Sequence, residues 1–243
     1  MKQLLIWGGA GIAIAAGLWA VFFFANGAKQ QPITTGGLLA IPVSENDHRK
    51  GNPDAKVQLI EYGDFQCPAC ASYFPLLKQL EQEYGDQLEI AYRHFPLRAI
   101  HANAQIAAQA AEAASLQGKF WEMHDMLYVN QQQWASERNP EEKFIELASR
   151  LELDKERFRS DMNSDMLKTK VNTDYDSGEL SGVQGTPSFF LQGIRIEIPQ
   201  TYDELKKVID EALAEGSAPV QIETDANGGI QIEDIQLEVS PAI

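Results

Sequence analysis

The chain has 243 residues and carries 20 Lys+Arg against 35 Asp+Glu, a formal net charge of −15. So acidic a surface repels phosphate backbones, which excludes nucleic-acid binding by charge. A hydrophobic content of 44% with 9% aromatics excludes a disordered chain, and two cysteines are too few for a disulfide scaffold or a thiolate-built zinc site.

Residues 4–25 contain no charge over 22 positions. As a helix they span about 33 Å, enough for a hydrocarbon core of about 30 Å. Trp7 and Trp19 stand near the two ends, Lys2 precedes the stretch, and Lys29 is the only cation soon after it. This charge bias puts the N-terminus in the cytoplasm and the rest of the chain outside. The expectation is a transmembrane anchor over residues 1–28. A cleaved signal peptide is the competing reading, with Ala25-Asn26-Gly27 as a small-x-small cleavage site. Residues 29–51 read as a linker, because Gly, Gln, Pro, Thr and Asn dominate there.

A domain is expected over residues 52–215. Lys56 to Tyr62 alternates as a strand, Gly63-Asp64 breaks it, and Cys67-Pro68-Ala69-Cys70 opens a helix running to Tyr84, with Pro75 expected to kink it. A second strand follows from Leu88 to Phe95. Helical periodicity then dominates an insertion over about residues 100–178. Asn139-Pro140 predicts a helix start with Asn139 as its cap, and Asp154 caps the next helix. Strand character returns at Ser188-Phe189-Phe190-Leu191. Thr201-Tyr202-Asp203-Glu204 has the form of a capping box before a final helix. The tail, residues 216–243, is patterned as a β-hairpin. From Ile196 onward there are 11 acids and 2 bases, net −9, in a spacing unlike a calcium loop.

The chemistry concentrates at Cys67 and Cys70. A thiol at a helix N-terminus faces unpaired N–H groups and the positive end of the helix dipole, and both favour the thiolate. A second thiol one turn on can close a disulfide or resolve a mixed one. So short a loop stabilises little as a passive crosslink. Metal binding would need further ligands from His94, His101 or His124, none of them at a recognisable spacing.

Glu61-Tyr62-Gly63-Asp64-Phe65-Gln66-Cys67-Pro68-Ala69-Cys70, the run from Gln117 to His124, and Gly182-Val183-Gln184-Gly185-Thr186-Pro187-Ser188-Phe189-Phe190 together resemble the DsbA-like branch of the thioredoxin superfamily. The resemblance implies an α/β thioredoxin-like fold with a helical insertion between the second and third core strands. It implies Cys67 as the exposed nucleophile, Cys70 as the buried resolving thiol, and Pro187 as a cis-proline packed against the pair. Thr186 would offer backbone groups to an extended substrate. Glu61 would be a buried carboxylate relaying a proton to Cys70, its alternative being an outward-facing strand residue.

Ala69 stands where strong oxidants of the family carry histidine, so the expected potential lies between about −120 and −270 mV. The expectation is a monomeric extracytoplasmic oxidase acting on reduced exported proteins, reoxidised by a membrane partner of quinone-reductase type, with no cofactor or metal. The alternatives are a reductase or isomerase fed electrons across the membrane, a copper-delivery module using Cys67 and Cys70, and a holdase with incidental thiols.

Overall fold

The structure, a computed structural model, describes residues 37–216 and the backbone of residues 223–224 and 230–231. The predicted anchor, the first part of the linker and most of the acidic tail lie outside the described residues. Among the described residues no helix is long and apolar enough to cross a membrane.

A five-stranded sheet organises the domain. Its strands are β1 (His48–Gly51), β2 (Val57–Gly63), β3 (Leu88–His94), β4 (Ser188–Leu191) and β5 (Ile194–Arg195), in the order β1-β3-β2-β4-β5. Strands β2 and β3 run parallel and the other pairs antiparallel. The parallel pair requires a crossover, which α1 (Pro68–Tyr84) supplies. Helix α1 continues through Pro75 as one element. The alternation along β2 sends Val57 and Leu59 to one face and Ile60 and Tyr62 to the other. On the first face they meet Leu77, Leu80 and Tyr84 of α1 and Leu205, Ile209 and Ala212 of the last long helix (Tyr202–Glu215). On the second they pack with Leu39, Phe95 and Phe190.

Between β3 and β4 the chain inserts α2 (Ala104–Ser115), α3 (Phe120–Val129), α4 (Gln131–Trp134), α5 (Glu141–Arg150), α6 (Lys155–Met162) and α7 (Asp165–Leu180). The helix Tyr202–Glu215 is α8. Seven alanines of α2 are buried, small enough to let α3 and α6 approach closely. Trp134, Phe144, Phe158 and Met162 complete this second core, which also takes in Phe65, Cys67, Cys70 and Tyr92. The active loop is therefore clamped between the sheet and the insertion.

Local signals place most helix starts. Asp154 accepts from Arg157 N (2.9 Å), and Thr201 Oγ1 accepts from Glu204 N (3.2 Å) while Glu204 Oε2 accepts from Gln200 N (2.7 Å). Helix α5 starts one residue later than predicted. Pro140 holds the cap position, with Asn139 Oδ1 accepting from Glu141 N at 3.3 Å.

The larger departure is in the segment expected to be a linker. His48–Gly51 pairs with β3 as an edge strand, and Leu39 is buried, its N–H donating to Gly193 O. The anchor of this segment is an ion pair. Arg93, on β3, donates to both carboxylate oxygens of Asp47 (2.6 and 3.0 Å) and to the carbonyls of Ile41 and Pro42. At the far end, Glu223–Thr224 (β6) and Ile230–Gln231 (β7) pair antiparallel, at the positions read as a hairpin.

Candidate active site

The strand-to-helix turn that carries the cysteines is built by Asp64. Its Oδ1 accepts from Gln66 N (2.7 Å) and its Oδ2 from Leu97 N (2.9 Å) and His101 Nδ1 (2.6 Å), while its carbonyl accepts from Cys67 N (3.0 Å). A short carboxylate bonded to the amide two residues on makes a local turn, which stops β2 and starts α1. The last residue of β2 is Gly63, where a Cβ would lie 2.5 Å from the Tyr92 ring. Cys67 is the cap residue of α1, with extended backbone (φ −70°, ψ 122°), and Pro68 opens the helix.

The helical insertion then fixes the turn from the other side. Gln131 Nε2 donates to the carbonyls of Phe65 (2.7 Å) and Cys67 (3.0 Å). Gln66 Nε2 donates to Ala135 O, and its Oε1 accepts from Asn103 N. These amides were not singled out in the sequence. Gln131 sits in a run of three glutamines, and no local pattern distinguishes the buried one from its neighbours.

Five residues predicted from the resemblance meet here. The Thr186–Pro187 peptide bond is cis. The Thr186 carbonyl lies 3.3 Å from Cys67 Sγ and accepts from the thiol. Strand β2 puts Glu61 opposite Tyr92 and Phe189, on the face turned to α1. Cys67 departs from expectation in one respect: it is only 6% exposed, against 1% for Cys70. The loop before Pro187 covers its sulfur, so the nucleophile is the more accessible of the pair without being open.

The two thiols are free and electrostatically opposite. Cys67 is lowered from 9.0 to about 5, first by the hydrogen bond from the Cys70 thiol, then by the Thr186 hydroxyl and the amides of Cys70 and Ala69, which outweigh burial. Among the described residues the buried Thr186 hydroxyl has no hydrogen-bond partner while Cys67 donates to the Thr186 carbonyl, so it is available to the thiolate once that proton leaves. Cys70 is pushed up by burial, by the bond it gives Cys67 and by the charge of Glu61. Glu61, 2% exposed, is raised from 4.5 to about 8 by burial and then by the Cys67 charge. Glu61 also lines a small cavity of about 20 Å³ bordered by Phe74, Leu77, Lys78, Trp121 and His124.

The histidines weighed as extra metal ligands turn elsewhere. His94 bonds Glu112 (2.9 Å), His101 bonds Asp64 (2.6 Å) and His124 bonds Asp125 (2.9 Å), and none is hydrogen-bonded to Cys67 or Cys70.

A family model described as thioredoxin matches residues 43–211. The chain belongs to the thioredoxin family. Its fold is similar to that of BdbD from Bacillus subtilis in the oxidised form, with TM-score 0.64 and 22% identity, covering 74% of this chain and 99% of that one. It is also similar to α-DsbA1 of Wolbachia pipientis, with TM-score 0.65 and 19% identity, covering 73% and 96%. At such identities the likeness is one of fold. Curated relatives include the Na⁺/H⁺ antiporter NhaA 3 of Salinispora tropica, 38% identical over 177 residues, which are 72% of this chain and 26% of that protein. The antiporter NhaA of Herminiimonas arsenicoxydans is 40% identical over 152 residues, 63% of this chain and 23% of that protein. The chain thus spans about a quarter of the length of the curated relatives it matches.

Proposed function

We propose that this thioredoxin-family chain is a thiol–disulfide oxidoreductase that works outside the cytoplasm as an oxidase of exported proteins. The observation that carries the reading is the opposed pair: a Cys67 thiol lowered to about 5 beside a buried, protonated Cys70. In the oxidised chain a substrate thiolate attacks Cys67 Sγ. The Cys67–Cys70 bond breaks, a mixed disulfide forms, and Cys70 leaves as a thiolate that takes a proton. Glu61 still carries a proton at neutral pH and is placed to supply it. A second substrate thiolate then attacks the substrate sulfur, and Cys67 leaves as a thiolate. Two electrons have passed from the substrate to the chain, and a membrane partner of quinone-reductase type removes them.

A low Cys67 pKa favours this direction, because a stable thiolate is a good leaving group and stabilises the reduced chain. The Thr186 carbonyl at the sulfur and the backbone beside Pro187 offer pairing to an extended segment. Placement at a membrane is supported by the uncharged stretch of residues 4–25 and by relatives named as Na⁺/H⁺ antiporters, of which a segment similar to this chain makes up about a quarter. The catalytic domain acts as a monomer. The test is the equilibrium potential of the Cys67–Cys70 couple in glutathione buffers, read by thiol trapping. A value above about −180 mV supports the oxidase and a value near about −270 mV supports a reductase, while no reversible couple removes the redox reading.

A further inference from the structure

A second group of donor atoms lies at the edge of the sheet. His48 on β1, His94 at the end of β3 and Glu112 on α2 each bring one ligand atom within 4.8 Å of the others. His48 Nε2 and His94 Nε2 stand 2.8 and 2.9 Å from the same oxygen, Glu112 Oε1. Three separate elements deliver these residues, so the sheet and the insertion hold the cluster rigidly. His94 and Glu112 are buried, and the His48 ring is stacked flat on Phe120 at 3.4 Å. The His48 side chain keeps 16% of its exposure, which leaves an entry path from solvent.

Two further observations point to a ligand. Among the described residues His94 Nδ1 is buried with no hydrogen-bond partner, so only the Glu112 contact at Nε2 sets this tautomer, and an ion that takes that contact leaves Nε2 its lone pair. Lys170 Nζ lies 3.7 Å from Glu112 Oε1 and is held there by Asp174 at 2.6 and 2.7 Å. The chain thus already places a cation against the oxygen that the two imidazoles share.

Two imidazoles and a carboxylate with an open fourth position suit a borderline divalent ion. We propose that His48, His94 and Glu112 form a Zn²⁺-binding site that clamps the edge strand β1 to β3 and to the helical insertion. The bound form has both ring protons on Nδ1, Nε2 of each imidazole and the Glu112 carboxylate on the metal and water completing the set, and the unpartnered Nδ1–H of His94 costs part of the affinity. The Lys170 ammonium competes for Glu112 and tempers the affinity.

The test uses the full chain in detergent with the Cys67–Cys70 disulfide formed, so that thiolates cannot ligate and the result is independent of exchange activity. Zn²⁺ is titrated against a chromophoric chelator, and Co²⁺ reports geometry through its visible bands. One equivalent is expected to bind. His48→Phe keeps the stacking on Phe120 and is expected to weaken binding by about 10–100-fold. Lys170→Met is expected to tighten it. Absence of stoichiometric binding overturns the proposal, as does a folded His48→Phe chain that binds equally well, or a Lys170→Met chain that binds more weakly.

Discussion

Replacing Thr186 by Val removes a side-chain hydroxyl that lowers the Cys67 pKa while leaving the Thr186 carbonyl contact and the cis peptide bond in place. A hydrogen bond to a charged group contributes about 1.5–3 kcal/mol, and one pKa unit is about 1.4 kcal/mol. Losing it therefore raises Cys67 from about 5 to about 6–7. At pH 7 the wild-type thiolate outnumbers the thiol about 100 to 1, and in the variant by about 10 to 1 or less. The reduced chain loses about 10–50-fold in relative stability, and at about 30 mV per decade for two electrons the potential falls by about 30–50 mV. Two measurements check this: thiolate absorbance near 240 nm against pH, and the glutathione equilibrium at pH 7. A variant whose thiolate midpoint stays near 5 refutes the assignment of the hydroxyl. A shifted midpoint with an unchanged potential refutes the link between thiolate stability and redox poise.

Other consequences follow from the same groups. With Cys67 ionised above about pH 5 and Cys70 protonated, reduction takes up two electrons and one proton, so the potential should fall by about 30 mV per pH unit between pH 5.5 and 7 and by about 60 below pH 5; a uniform slope of about 60 would contradict the low Cys67 value. Glu61 is raised from 4.5 to about 8 in the reduced fold, so its contribution to stability is fully present below pH 4.5 and is lost as pH rises through 8. Glu61→Gln should therefore stabilise the reduced chain by about 3 kcal/mol at pH 7 and little at pH 4.5, read by urea unfolding, while slowing opening of the Cys67–Cys70 disulfide by a substrate thiol about 10²-fold. Asp47→Ala leaves the buried Arg93 unpaired and should cost about 3–5 kcal/mol, measured by denaturant. A loss under about 1 kcal/mol would show that residues 37–51 do not brace the domain.

The parts of this molecule legible in the sequence are those set by local chemistry. A Gly-Asp break before Cys67-Pro68 announces strand, turn and helix in six residues, and the caps at Asp154 and Thr201 are written by single oxygens. Glu61 was legible only as a position, since its burial depends on which face of β2 meets α1. The strand His48–Gly51 was hidden because its four residues carry no alternating apolar pattern. It is held by backbone pairing to β3 and by Arg93, 46 residues from Asp47. Gln131 and Asn103 were hidden for the same reason: an amide that satisfies distant carbonyls looks in sequence like any surface amide.

The proposed redox direction rests on two thiols held in opposite states within one short segment. Cys67 and Cys70 are three residues apart and share a helix terminus, so the helix field alone would lower both. What separates them is depth. Cys67 stands at the cap, where the amides of Ala69 and Cys70 reach its sulfur and Thr186 borders it. Cys70 is one turn inside, on the side of Glu61, where any negative charge is costly. The same Glu61 keeps its proton to about pH 8 because it is buried and, secondly, because Cys67 is charged, so the pair and the acid hold each other in complementary states. Lowering Cys67 from 9.0 to about 5 favours the reduced chain about 100-fold at pH 7, or about 60 mV towards the oxidant end. Raising Cys70 adds nothing at that pH, since it is already protonated. In the proposed exchange its effect would be kinetic: a poor leaving group beside a proton donor would make opening of the disulfide depend on Glu61.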